Sequence, residues 1–530
     1  MPAGAESAMA SIDPERIRAH VRFLSHDLLE GRGTGQRGGD IAAEYIGTQF
    51  ALDGLQPAGD GGSYMQKVPM VGITTDPQQT TFALAPANAP VMELKYKDDY
   101  VTNNETQSQT ADINAPIVFV GYGIEAPEYN WNDFKGMDVK GKVLLMFVNE
   151  PPSKDPKFFK GPALTYYGRW TYKYEEAARK GAVGALLIHR SDIASYGWDV
   201  VRNSNSGEKS YLRENNAPKL QAASWIQWEV AKKLLADSGQ DIDKLFAAAG
   251  ARDFHPIPLK ANLRAHIVST VRPFESNNVL AVLPGADPAL KSQAVVYSAH
   301  YDHLGIRRDA PGDNIYNGAA DNATGCGILL ELARAYSAAS VKPRRSILFA
   351  SVTAEEQGLL GSEYLGLHPP MKAGDLTLDL NFDDIPPIGD PEEVEVSGAE
   401  RTSFYPMVEE IARDFRMEIR PDSRPEAGHY YRSDHFSMAR VGVPAFSINE
   451  GMKYAGHPAE WGEQQARDYV EHRYHQPSDE YRPSMDFTGD AKVARFGFAL
   501  GWNAANRQEL VQWQSGDEFE AARKKSESGD

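Results

Sequence analysis

The 530-residue chain has one cysteine, Cys326, and no run of about 18 apolar residues. A single cysteine excludes an intramolecular disulfide and any thiolate zinc cluster. Set in GCGILLELARAY, it reads as a small core residue rather than a reactive thiol. The absence of a long apolar run excludes a membrane-spanning helix. Basic residues are in deficit, 55 against 73 acids, for a formal charge of −18. That balance speaks against nucleic acid or an anionic membrane as a partner through the overall field. The start, MPAGAESAMASIDPERI, lacks both a basic stretch and an apolar one behind it. The expectation is a periplasmic or secreted protein whose leader has been removed, with the cytoplasm as the alternative.

What is present is a large core. Residues are 42% hydrophobic and 24% charged, which excludes global disorder, and the length predicts two to four compact units. A helix begins after Ser11 or Asp13, with Pro14 in its first turn. The loop GRGTGQRGG follows; lacking a preceding strand and a phosphate-binding lysine, it reads as a helix connection. Between about 90 and 262, short apolar strands alternate with polar and aromatic loops, predicting an inserted β-rich domain. Beyond it, AVVYSAH, RSILFASVTAEE, LTLDLNFDDI and GVPAFSINE alternate with helical patterns. The predicted fold is α/β, a mostly parallel central sheet with helices on both faces.

Polar residues collect at the carboxyl ends of these strands, where open α/β sheets place their sites. Five segments carry them: His300-Tyr-Asp302-His303, Asp321-Asn322, Glu355-Glu356, Asp383-Asp384, and His475 within RYHQPSDEY. Singly each is an ordinary surface or core feature; together they converge on one edge. Oxygen and nitrogen donors without thiolate suit zinc, and less specifically cobalt or manganese. Two zinc ions against three carboxylates and a hydroxide give a neutral shell in which acids can crowd. Glu355, just before a ligand, is placed as general base, and Asp302 as the group that orients an imidazole.

SAHYDHLG, NGAADNATG, TAEEQGLLGSEYL, NFDDI, YRSDHFSMARVGVPAF and YHQPSDEY resemble, in this order, the motifs of the co-catalytic dizinc peptidases. That family includes leucine-type aminopeptidases, glutamate carboxypeptidases and single-zinc glutaminyl cyclases. LLEGRGTGQRGGDIAAEYI is similar to its N-terminal segment, and the insert resembles a protease-associated (PA) domain. The resemblance implies a zinc-peptidase (phosphorylase/hydrolase-like) fold divided as 1–89, 90–262 (PA-like) and 263–530. It implies that Asp321 bridges two zinc ions, with His300 and Asp383 on one and Glu356 and His475 on the other. Glu355 would activate the bridging water. Tyr430, at the family's offset before Ser433-Asp434-His435, would steady the oxyanion, with Tyr474 as its rival. Asp384 and Ala320 depart from the family pattern, and Asp384 could take the place of Asp383 as ligand. His303, His429, His435 and His472 are expected to line or support the site.

The function implied is an exopeptidase acting on peptides and releasing N-terminal residues, because the site is rich in carboxylates that could hold an ammonium. Carboxypeptidase action, with Arg432 on a terminal carboxylate, is the alternative. A single-zinc cyclase and a receptor-like binding module rank below it. The PA-like insert covers the opening or mediates assembly in relatives, which makes a homo-oligomer a further expectation.

Overall fold

Strands buried on both faces read as continuous apolar runs, and such runs form the central sheet of this chain. The computed structural model describes residues 1–191, 197–213, 217–307, 312–422 and 425–528. The chain divides into two compact units: Met1–Val68 with Glu275–Ser423 and His429–Asp530, and Pro69–Phe274 with Arg424–Gly428. Among the described residues, no helix is long and apolar enough to cross a membrane.

The first unit holds the second half of β1 (Ile257–Leu283), then β2 (Ala294–His300), β3 (Ser346–Val352), β4 (Leu376–Asn381) and β5 (Ala445–Ser447). Their spatial order is β5-β4-β2-β3-β1. Strands β2 to β5 run parallel, and β1 closes the edge antiparallel to β3. Every residue of β2, β3 and β4 is buried. Register pairs His300 with Val352 and Ser298 with Asn381, so β4 ends two residues short of the other two and the residues beyond all three emerge along one edge.

Side chains alternate between the two faces. On one face α1 (Pro14–Leu24), α2 (Gly325–Ala338) and α3 (Thr488–Asn506) pack together. There the Tyr297 ring lies between Phe349 and Phe382, at 5.7 and 6.3 Å, and its hydroxyl donates to the Gly497 carbonyl at 2.9 Å. A Cβ at Gly501 would lie 1.9 Å from that hydroxyl. Glycine therefore sits inside a helix despite its cost of about 1 kcal/mol. The other face is covered by the short helices Leu360–Leu367 and His435–Arg440.

The second unit is built on parallel strands Thr110–Phe119, Val143–Phe147, Gly184–His189 and Ala222–Gln227, with Tyr100–Asn103 antiparallel at one edge. The first half of β1 pairs with Thr110–Phe119 and Thr81–Pro86. This unit, Pro69–Phe274 with Arg424–Gly428, contains the stretch 90–262 expected as an insert. Residues 69–89 belong to it because their strands find partners there, which apolar texture alone does not reveal. In its core Tyr172 is buried, and Tyr166 and Tyr167 pack against the same cluster.

Helix α1 is capped as expected by Asp13, whose carboxylate accepts from Glu15 N at 3.0 Å. It is tied to α2 through Glu331, whose buried carboxylate accepts from Asp13 N, Arg16 Nε and Arg334 Nε. Burial alone would raise this carboxyl, but the arginine hydrogen bonds hold it below its ordinary value. A depressed acid stabilises the fold above its unfolded pKa, and that contribution fades as pH falls through the folded value. We expect Glu331→Ala to cost about 3 kcal/mol in urea unfolding at pH 7. The gap from the parent should narrow below pH 4; a gap independent of pH would contradict the assignment.

Candidate metal centre

Histidine and acid side chains gather at the carboxyl ends of β2, β3 and β4. His300 closes β2, Glu355 and Glu356 follow β3, and Asp383 follows β4. Asp321 lies in the turn Ala319–Thr324 that leads into α2. His475 lies just beyond the helix Trp461–His472. Three residues of this edge, Ala354, Asp384 and His475, take positive φ near 56°. Non-glycine residues held in that region mark sites where packing overrides backbone preference.

Two clusters share Asp321. In one, His300 Nε2 is 3.0 Å from Asp383 Oδ1 and 3.4 Å from Asp321 Oδ1. In the other, His475 Nε2 is 3.2 Å from both Asp321 Oδ2 and Glu356 Oε2. Zinc bonds of about 2.0–2.1 Å in a tetrahedron give edges of about 3.3 Å, so these spacings suit the ion. His303 faces the second cluster too, with Nδ1 2.6 Å from Glu356 Oε1 and 3.7 Å from Asp321 Oδ2. Neither His303 nitrogen, nor Glu356 Oε1, makes a hydrogen bond, although all are buried. Buried polar atoms are almost always bonded, and unbonded ones this close together fit the ligands of a cation.

Charge leads to the same reading. Asp302, Asp321, Glu355, Glu356, Asp383 and Asp384 crowd one edge, and among the described residues every ion pair they form is with an imidazole. Burial would lower His300, but Asp383 and Glu355 push it well above its ordinary value. His475 rises to about 10 against its burial, through Asp321 and Glu356. Burial, with the charges of Asp383 and Glu356, drives Glu355 well up. Asp384 rises through burial and the charges of Asp321 and Asp383. The crowded acids favour cationic partners, a role open to a divalent ion as well as to an imidazolium.

Supporting contacts fix the donors. Asp302 is fully buried; its Oδ1 accepts from Glu355 N at 3.1 Å, and its backbone carbonyl faces His300 Nδ1 at 3.1 Å. Ser433 donates to Asp383 Oδ2 at 2.5 Å. Asp479 accepts from the backbone N–H groups of Ala320 and Asp321 at 3.1 Å each, anchoring the shared carboxylate's turn. The Cys326 thiol donates to the His300 carbonyl at 3.1 Å and is pushed up to about 11 by burial, an inert core residue. Asp479 lies four residues after His475 inside YHQPSDEY, but a sequence does not distinguish a backbone anchor from a surface acid.

Of the residues singled out in sequence, His300, Asp302, Asp321, Glu355, Glu356, Asp383 and His475 come together. Tyr430 does not join them. Its ring packs on Arg401 at 4.5 Å and its hydroxyl donates to the Ala445 carbonyl at 3.0 Å. The charges around it are Arg401, Asp517, Glu518 and Glu400. Tyr474 is the phenol on the site: its ring stacks on His475 at 3.9 Å, it is 37% exposed, and the acids nearest it are Asp384, Asp321, Glu356 and Glu355. Asp384 accepts from the Tyr469 hydroxyl at 3.3 Å. His435 packs edge-on against Tyr430, and His472 pairs with Asp468.

Adding zinc to chelator-treated protein should raise the thermal midpoint by about 5 °C or more. His300→Ala should remove most of that gain. A midpoint indifferent to zinc in the parent protein would mean that the clusters hold no ion.

Residues 278–495 match the sequence model described as peptidase family M28. The chain is 26% identical over 212 residues to leupeptin-inactivating enzyme 1 of Streptomyces exfoliatus, covering 37% of this chain and 43% of that protein. It is 39% identical over 98 residues to a probable zinc metalloprotease of Pyrenophora tritici-repentis, 18% of each. The chain thus spans less than half the length of these curated relatives. The aminopeptidase from Aneurinibacillus sp. strain AM-1 shares the fold, with a TM-score of 0.50 and 18% identity over 96% of this chain and 97% of that one. His300, Asp321, Glu355, Glu356, Asp383 and His475 all fall inside the segment that matches peptidase family M28, so the metal centre lies in the part of the chain that resembles that family.

Proposed function

We propose that the chain is a zinc exopeptidase that releases N-terminal residues from peptides. The observation that carries this reading is the sharing of Asp321 between two histidine–carboxylate clusters, with Glu355 beside them. The leupeptin-inactivating and aminopeptidase relatives support it. His300, Asp321 and Asp383 would hold one zinc ion, and Asp321, Glu356 and His475 a second, with His303 facing the same pair. Bound there, zinc polarises the scissile carbonyl and makes water acidic enough to react near neutral pH.

Glu355 takes the proton from the attacking water and returns it to the departing amine. Desolvation and the charges of Asp383 and Glu356 lift its carboxyl above its ordinary value, which favours proton uptake by this group. Asp302 holds both partners of this step, His300 through its backbone carbonyl and the Glu355 backbone through its carboxylate. Tyr474, on the exposed side, offers its hydroxyl to the developing oxyanion. Asp384, half-buried next to the cluster and bonded by Tyr469, adds a carboxylate for the substrate's ammonium.

Aminoacyl-p-nitroanilides should therefore be cleaved and N-acylated dipeptides left intact. Activity confined to the acylated set would make the enzyme a carboxypeptidase. Glu355→Gln should lower kcat by about 10³-fold with zinc content unchanged. Tyr474→Phe should lower kcat by about 10²-fold, whereas Tyr430→Phe should leave it within a factor of about three. The reverse ranking of the two tyrosines would refute the assignment.

A further inference from the structure

We propose that the N-terminal loop Gly31–Thr34 is a positioning element of the metal centre. Arg32 clamps together the two loops that carry His300 and Asp321, and Thr34 fixes the carboxylate behind His300. The proposal rests on reading the site as a zinc centre.

Arg32 is fully buried. Its Nε donates to the Tyr301 carbonyl at 2.7 Å, and Nη1 to the carbonyls of Leu24 and Asn317 at 2.6 Å each. Nη2 donates to the Gly318 carbonyl at 2.8 Å. Tyr301 stands between His300 and Asp302, and Gly318 is three residues before Asp321. One rigid fork therefore sets the distance between a ligand of the first cluster and the carboxylate both clusters share. Lysine, with a single flexible ammonium, cannot span these acceptors in fixed geometry. A buried guanidinium is costly unless its donors are used. Here four carbonyls take them, and the charges of Asp321, Asp479 and Asp302 lie close by.

The loop is shaped for the task. Arg32 has φ 48° and Gly31 φ 67°. A Cβ on Gly31 would meet the Tyr316 carbonyl at 2.4 Å and the Gly305 carbonyl at 2.7 Å, so only glycine allows the approach. The Arg32 carbonyl accepts from His303 N at 3.2 Å, and Gly33 forms a β-bridge with His303. Thr34 Oγ1 then donates to Asp302 Oδ2 at 2.8 Å. The other Asp302 oxygen holds Glu355 N, so Thr34 completes the carboxylate of a residue whose backbone carbonyl faces His300 Nδ1.

The test is zinc titration against a chromophoric competitor for the parent, Thr34→Val, Thr34→Ser and Arg32→Lys, with the metal-free thermal midpoint of each. Thr34→Val should weaken zinc binding about tenfold with its metal-free midpoint unchanged, and Thr34→Ser should restore the parent affinity. Arg32→Lys should weaken binding by more than about tenfold, because it loosens both clusters. Parent-like affinity in Thr34→Val and Arg32→Lys would overturn the proposal. Should Arg32→Lys fail to fold, the Thr34 pair decides. Failure of the parent itself to bind zinc would instead overturn the zinc-centre reading, whatever the variants do.

Discussion

Asp321 is the constraint on which the site turns. One buried carboxylate faces His300 with one oxygen and His475 with the other, and the remaining acids of the edge are arranged around that division. Six carboxylates this close repel one another, and burial removes the water that would screen them. The imbalance drives His300 and His475 up, and Glu355 and Asp384 with them. Two divalent cations would relieve it. The architecture is costly without them, which is the physical signature of a metal centre rather than of an acidic surface.

The scaffold answers by making the surroundings rigid. Adjacent strand ends bring donors from three strands to one edge, and a core of stacked aromatic rings beneath them leaves the sheet little freedom to shift. Backbone groups are recruited as well: Asp479 holds the N–H groups of the Asp321 turn, Asp302 holds that of Glu355, and Arg32 gathers carbonyls from both ligand loops. Donor positions are thus fixed by contacts from segments hundreds of residues apart in sequence. Contacts of this kind, one layer behind the ligands, set ligand orientation and basicity as firmly as the ligands do.

Much of the site is legible in the amino-acid sequence. The α/β alternation and the parallel sheet follow from apolar runs that end in polar residues, and the grouping of His300, Asp321, Glu355, Glu356, Asp383 and His475 follows from the motif resemblance. Three features are not legible there. Tyr430 and Tyr474 are both tyrosines near motif residues; the choice rests on Tyr430 packing against Arg401 while Tyr474 stacks on His475. The glycine loop around Arg32 reads as a connection because the Tyr301 carbonyl it serves lies 269 residues later in the chain. The start of the second compact unit at Pro69 is hidden because Thr81–Pro86 takes its partner from β1, far downstream.

The sequence by itself determined which residue types stand at the ends of which strands, because burial imposes a local period and local runs can be read residue by residue. It determined the chemistry available: nitrogen and oxygen donors, no thiolate, and a base next to a ligand. Only the tertiary structure decided which of those groups face one another. A hydrogen bond from Thr34 to Asp302, or a shared carboxylate at Asp321, depends on distances of a few ångströms between segments remote along the chain. No local pattern encodes such distances; the packing of the whole unit sets them.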